Sequence, residues 1–391
     1  MKVQFPLRRI DKIECTVVSV PSIRPCAWSR GVSHGTTRTI IELHSNSGII
    51  GVGEAEGAAP AAFINHIVKP ALLKGPLIDT QHLRALCRVD FADAGSIGGS
   101  ERLNAYAAVE MAMIDAIGKE AGLPAHRFLG GMVRPLAMFG AYSYTVSLKA
   151  AQLAEKDVPE VIARYAVDSL RRTGADLFEF KIGRFSVETD IATILAVRST
   201  IGNDVLLAVD ANQAYVLSDA RNLLRATREA RIDWFEEPTA SFDDMARLHA
   251  EFGIAISSHC TDAEKYRHFP EIEAIVGDLH LSAGMTGVNA KAATAAALGR
   301  RFWQRSSMEL GVSWAAMVHV GCSCPDMLRP SQCLIDWVED DLILGPTWGV
   351  TAGGVAPPEK PGLGVDLDRD ALARYAEHYR SRGDYTYFET D

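Results

Sequence analysis

No run in this 391-residue chain approaches the roughly 18 consecutive apolar residues of a membrane-spanning helix. The first residues, from Met1 onward, lack an apolar h-region and read as the approach to a first strand. A disulfide framework is missing too. The seven cysteines, at 15, 26, 87, 260, 322, 324 and 333, are odd in number and scattered, as expected for reduced thiols and a cytoplasmic location. Cys322 and Cys324 have no partners at zinc spacing and read as structural. Positive charge is in short supply. Forty Lys and Arg against 49 acids leave a formal charge of −9, which argues against nucleic acid or an anionic membrane as partner. It leaves a small acidic substrate open, because a site can be locally positive on an acidic protein. What remains is ordinary globular composition, 48% hydrophobic and 23% charged, in a chain long enough for a barrel and a second domain.

Two short apolar runs organise the chain, and each stops at a carboxylate. Leu206-Leu207-Ala208-Val209 ends at Asp210, with Asn212 just beyond; Ile232-Asp233-Trp234-Phe235 ends at Glu236, followed by Glu237 and Pro238. Buried parallel strands look like this when each delivers one acid to the end of a sheet. The acids lie 26 positions apart, about one strand-helix repeat, which puts them on neighbouring strands. Two carboxylates meeting at one barrel mouth repel unless a cation lies between them, so divalent metal binding is the first functional hypothesis. The alternative is a pair of solvated acids that merely end strands.

Residues 1–130 read as an α+β capping domain. Strand-like alternation runs through 11–56, interrupted by a polar, Gly-containing loop from Pro21 to Gly35 and a hairpin turn at Asn46-Ser47-Gly48. Arg24, Arg30 and His34 in that loop either face an anionic ligand or are solvated. Helical spacing dominates from about 61 to 122 and stops at Gly122-Leu123-Pro124. From 131 to 355 short strands alternate with helices. That repetition points to a TIM-type barrel, although periodicity alone also admits a doubly wound sheet. Residues 356–391 are expected to return to the cap.

Under this division strands end at Lys181, Asp210, Glu236, His259, Asp278 and Arg305, each 19 to 29 residues after the last. Singly, Lys181 reads as a surface lysine, His259 as a loop histidine and Asp278 as a helix N-cap. Recurrence at every strand end would aim all six at one mouth.

These residues resemble a known family. Lys181-Ile182-Gly183, Val209-Asp210-Ala211-Asn212, Phe235-Glu236-Glu237-Pro238 and Met308-Glu309-Leu310-Gly311 look like the mandelate racemase/muconate lactonizing branch of the enolase superfamily. Val109 to Gly118, with Phe128-Leu129-Gly130, fits the same branch. Thr37 to Glu42 with Gly51 to Gly57, Ala137 to Tyr142, and Asp278-Leu279-His280-Leu281 look closest to its glucarate dehydratase-like members. The resemblance implies a modified (β/α)7β barrel, a cap completed by the C-terminal segment, a homo-oligomer and a bound Mg²⁺. It also implies removal of the α-proton of a carboxylate substrate to give a metal-stabilised enediolate. By position, Lys181 matches the general base, Asp210 and Glu236 the first two metal ligands, and Asn212 a polar neighbour of the substrate. Asp278 matches the Asp of an Asp/His dyad, and Glu309 a glutamate after the seventh strand.

Three positions depart from the family pattern. Glu179 replaces the first lysine of a Lys-x-Lys motif. The third metal ligand falls among Ser257, Ser258 and His259; imidazole is the better donor, and one nitrogen ligand would make Mn²⁺ or another divalent ion more acceptable. Arg305 replaces the dyad histidine, and arginine cannot serve as an ordinary base. It is expected either to pair with Asp278 or to grip a second acidic group, with Arg24 and His34 as further substrate contacts. A single base, Lys181, suits syn-dehydration of an acid sugar. The competing expectations are an isomerase, cycloisomerase or epimerase using the same enolate, and a non-catalytic acid-binding relative.

Overall fold

The computed structural model describes residues 8–89, 101–260, 262–345 and 348–386. The expected approach to the first strand (1–7) and the last residues of the C-terminal segment (387–391) lie outside the described residues.

The cap begins as an antiparallel meander of β1 (Ile10–Trp28), β2 (Gly31–Ser45) and β3 (Ile50–Glu56). The stretch from Pro21 to Gly35, expected as a loop, is instead the far end of a long hairpin. β1 and β2 pair as far as Pro21↔Gly35, break register, and pair again from Cys26↔Ser33 to Trp28↔Gly31. Pro21 and Pro25 cannot both serve a regular ladder, and the irregularity between Pro21 and Cys26 takes up the mismatch. Prolines at a bulge look like a loop in sequence. The helix Glu101–Ala121 lies against β3 so closely that a Cβ on Gly51 or Gly53 would come within 2.0 Å of the carbonyl of Ala112 or Ala108. Glycine is required there by contact. The C-terminal helix Arg369–Arg382 returns to β1, where His378 Nδ1 lies 2.9 Å from the Ser19 carbonyl. Tyr385 N donates to Thr37 Oγ1 at 2.8 Å.

The second layer contains β4 (Ala137–Met138), β5 (Ala141–Ser143), β6 (Leu177–Lys181), β7 (Leu206–Asp210), β8 (Trp234–Glu236) and β9 (Ile256–Ser258). β10 (Ile272–Gly277), β11 (Arg301–Gln304) and β12 (Gly354–Val355) complete it. β5 to β11 form one parallel sheet in sequential order, with no reversal of the kind a doubly wound sheet requires. Residues 331–332 join its two edges. Ser331 N donates to Met138 O at 2.9 Å, Gly140 N to Ser331 O at 2.9 Å, and Gln332 N to Gln304 O at 2.8 Å. The result is the expected barrel, with a cap over it.

Strand residues alternate between two cores. Phe178, Phe180, Leu207, Val209, Phe235 and Phe302 pack outward into the main cluster with the helices. Leu177, Ala208, Trp234, Ala274, Val276 and Trp303 form a separate inner cluster. The two-residue period therefore carries Glu179, Lys181, Asp210, Glu236, Asp278 and Arg305 onto the inner face, above that cluster. All seven cysteines are free. No helix among the described residues is long and apolar enough to cross a membrane.

Candidate active site

Parallel register builds the site. Lys181 pairs across to Asp210, Asp210 to Glu236, and Glu236 to Ser257, so four neighbouring strands present one row. His259 lies two residues beyond Ser257 and so shares its face. Ligand atoms of Asp210, Glu236 and His259 all fall within 4.8 Å of one another. Of the three candidates for the third position, His259 joins the acids. Ser258 Oγ turns instead to Glu237.

Three buried polar atoms in this row and beside it have no hydrogen-bond partner among the described residues: Glu236 Oε1, Asn212 Oδ1 and Ser257 Oγ. His259 Nε2 lies 2.9 Å from that Glu236 oxygen without satisfying it. Orphaned buried oxygens are rare and ask for an absent partner. Burial and the adjacent Asp210 push the Glu236 carboxyl up from its ordinary range, against Lys181 and Arg329, which pull it down. Burial lowers His259, and Arg305 adds to that, which favours the neutral imidazole a metal requires. Two carboxylates and one imidazole fit a divalent cation.

The surrounding residues hold this set in place. Asp210 accepts from Asn212 N at 2.8 Å and Asn212 Nδ2 at 3.2 Å, and forms an ion pair with Lys181. The Lys181 ammonium lies 5.8 Å from the Tyr142 ring and 5.9 Å from Trp28, which the β1–β2 turn brings down from the cap. Glu237 accepts from His259 N at 2.9 Å and contacts Gln213. Asn212, Gln213 and Glu237 all hold positive φ, at 48°, 66° and 46°. Strained backbone of this kind gathers at functional loops. Beneath the row, Gln332 Nε2 bridges Glu179 Oε1 (2.6 Å) and Glu236 Oε2 (3.2 Å). Arg329 approaches Glu179 at 3.3 Å. Burial, then Glu236, push Glu179 up to about 8.

On the far side of the triad, Arg305 Nε donates to Asp278 Oδ2 at 2.6 Å. Burial works to raise the Asp278 carboxyl, but Arg305 and its neighbours hold it at about 2. The ion pair that the sequence allowed is therefore present. Beyond it, Arg38 Nη1 lies 3.3 Å from His280 Nε2, and burial lowers that imidazole to about 3.

Three expected substrate contacts are placed otherwise. Arg24 stacks on Tyr165 (4.5 Å) and Trp337 (5.0 Å). His34 is exposed on β2 opposite the bulge. Arg30 is the loop cation that meets the barrel, donating to Asn212 O at 3.2 to 3.3 Å. Glu309 accepts from Ser307 N at 2.8 Å and from Ser306 Oγ, so its carboxylate shapes its own turn. Sequence reasoning missed Trp28, Tyr142, Glu237 and Gln332. The doubled acid at 236–237 was a usable signal for one of them. Gln332 follows no strand-end motif, and nothing in its neighbourhood announced it.

Two family profiles match the chain: mandelate racemase/muconate lactonizing enzyme, N-terminal domain, over residues 12–130, and enolase C-terminal domain-like over 161–371. A probable glucarate dehydratase of Streptomyces coelicolor is 28% identical over 366 residues, covering 86% of this chain and 84% of that protein. Muconate cycloisomerase 1-1 of Acinetobacter lwoffii is 25% identical over 392 residues, with 94% and 96% covered. A solved enolase from Thermobispora bispora, complexed with magnesium and formate, superposes with a TM-score of 0.87 at 25% identity, over 97% of this chain and 96% of that one. Their named reactions differ, while the matched segments span Lys181, the triad and the Asp278–Arg305 pair. The chain belongs to the mandelate racemase/muconate lactonizing enzyme branch of the enolase superfamily.

Proposed function

We propose that this protein is a Mg²⁺-dependent dehydratase of a hydroxylated carboxylic acid, of the acid-sugar type. One observation carries the reading: among the described residues, the strand-end row offers a base on one side only. Lys181 stands beside Asp210, whereas the opposite side presents Asp278 locked to Arg305, and a guanidinium does not accept protons. A two-base racemisation lacks its second base.

Asp210, Glu236 and His259 would hold the cation. When bound, it supplies positive charge where the substrate carboxylate gains electron density. Lys181 acts as the neutral amine: its Nζ takes the α-proton and becomes an ammonium, and the electrons of that C–H bond form the new carbon–carbon double bond. The same ammonium then returns the proton to the β-hydroxyl as its C–O bond breaks, so water leaves from the face that lost the proton. The enol product tautomerises to a 2-keto-3-deoxy acid. Trp28 and Tyr142 keep bulk water from the lysine during this exchange.

Proton NMR in D₂O with Mg²⁺ and pools of aldonates, aldarates and smaller hydroxy acids tests the reading. Appearance of a deuterated 3-deoxy-2-keto acid supports it. Exchange of the α-proton with no loss of water overturns it in favour of an isomerase.

A further inference from the structure

The dehydratase mechanism leaves Arg305 without a task, yet the structure holds it in a defined pose. Period-two alternation from Trp303 in the inner cluster turns it toward the barrel interior. Asp278 Oδ1 accepts from Leu281 N at 2.6 Å, and Oδ2 accepts from Arg305 Nε at 2.6 Å. That carboxylate is fully engaged and anchors one edge of the guanidinium. Among the described residues, the Nη1 and Nη2 groups make no hydrogen bond, and neither is sealed in as a buried orphan. The pair uses the Nε edge of the guanidinium only, which leaves the fork open.

Position in the sheet sets what the fork faces. Lys181 on β6 flanks the triad strands on one side, and Arg305, directly after β11, stands beyond them on the other. Both side chains leave the ends of strands whose alternation turns them to the inner face, so both address the same barrel mouth. Glu309 lies in the field of Arg305 but is engaged by Ser306 and Ser307. Glu56, at the end of β3, also lies in that field and makes no hydrogen bond to the guanidinium among the described residues.

We propose that the Nη edge of Arg305 receives a second carboxylate of the substrate, making the substrate class hydroxylated diacids rather than mono-acids. The proposal rests on the dehydratase reading for the first carboxylate and deepens it. Arginine suits the role because its planar fork binds a carboxylate through two parallel hydrogen bonds, and Asp278 keeps that fork from turning away.

Calorimetry in Mg²⁺ with matched acids, tartrate against threonate and glucarate against gluconate, tests it without requiring turnover. The wild type is expected to bind each diacid about 10- to 100-fold more tightly than its mono-acid. R305Q should collapse that ratio to about threefold or less, and R305K, a point charge without the fork, should leave an intermediate ratio. Far-UV circular dichroism and Mn²⁺ affinity identify folded variants. Absence of a diacid preference in the wild type overturns the proposal, as does a preference that survives in R305Q. Equal weakening of both acids in R305Q also overturns it, since a purely structural pair would act that way. If R305Q does not fold, an unchanged ratio in R305K overturns the proposal, and an intermediate one supports it. Loss of the preference in R305Q without α-proton exchange by any acid would keep the receptor and remove the dehydratase reading.

Discussion

Asp210 serves two partners at once, the Lys181 ammonium and the space shared with Glu236 and His259. Changing it to Asn, or Glu236 to Gln, should abolish stoichiometric Mn²⁺ binding, read by calorimetry, while circular dichroism shows the barrel intact. Metal retained in either variant would show that the triad is not the ligand set. Lys181→Ala should do the reverse, keeping the metal and losing α-proton exchange in D₂O. Gln332 belongs to the layer beneath. Its amide is a donor to both Glu179 and Glu236, two buried acids that repel. Gln332→Leu should weaken Mn²⁺ binding about 10- to 100-fold, the usual consequence of losing a residue that orients a ligand. Unchanged affinity would reduce Gln332 to packing.

At the scale of elements, cap carboxylates serve as N-caps for barrel helices. Glu110 accepts from Met285 N at 2.9 Å and Thr286 N at 3.1 Å, at the start of the helix Gly284–Ala297. Glu54 accepts from Leu310 N and Ser313 N, both at 2.9 Å, at the start of Gly311–Ser323. Glu110→Ala would strand those donors and should cost about 2 kcal/mol in denaturant unfolding at pH 6. Burial raises Glu110 to about 7, against the hydrogen bonds that lower it. The folded state therefore holds this proton more tightly than the unfolded chain does. Its contribution is fully present below about 4.5 and is lost as pH rises through about 7. The melting temperature of the wild type relative to Glu110→Gln should fall from pH 5 to pH 8, and a flat difference would contradict the assignment. The strands of the barrel were legible because short apolar runs such as Leu206–Val209 stop at a carboxylate, as a strand buried on both faces does when it reaches the end of the sheet. The inward placement of Lys181, Asp210 and Glu236 at strand ends followed from those runs. The hairpin through Pro21 and Gly35 was not legible, because a bulge with proline has the composition of a loop. Arg24 was misplaced for the same reason. Glu110 and Glu54 gave no signal, since a carboxylate that caps a helix from another domain leaves no local pattern in either segment.

At the scale of the molecule, cap and barrel meet at the turn between β1 and β2. Ser29 Oγ donates to Ala211 O at 3.0 Å, Arg30 to Asn212 O, and Arg184 Nη1 to Trp28 O at 2.9 Å. All three bonds run between this turn and the loops that follow β6 and β7, the strands carrying Lys181 and Asp210. The turn is thus anchored on both sides of Lys181, and Trp28 is the part of it that faces the ammonium. Trp28 is not one of the three triad residues, so its removal leaves Asp210, Glu236 and His259 in place. It does remove one of two aromatic walls around a group that must gain and lose a proton away from bulk water. Trp28→Ala should therefore leave Mn²⁺ affinity within about twofold and lower kcat/KM for α-proton exchange at least about tenfold. Trp28→Phe should restore most of that loss, because a ring is what the lysine meets. Equal activity in all three proteins would make the turn a docking device alone and would leave the lysine's seclusion to Tyr142.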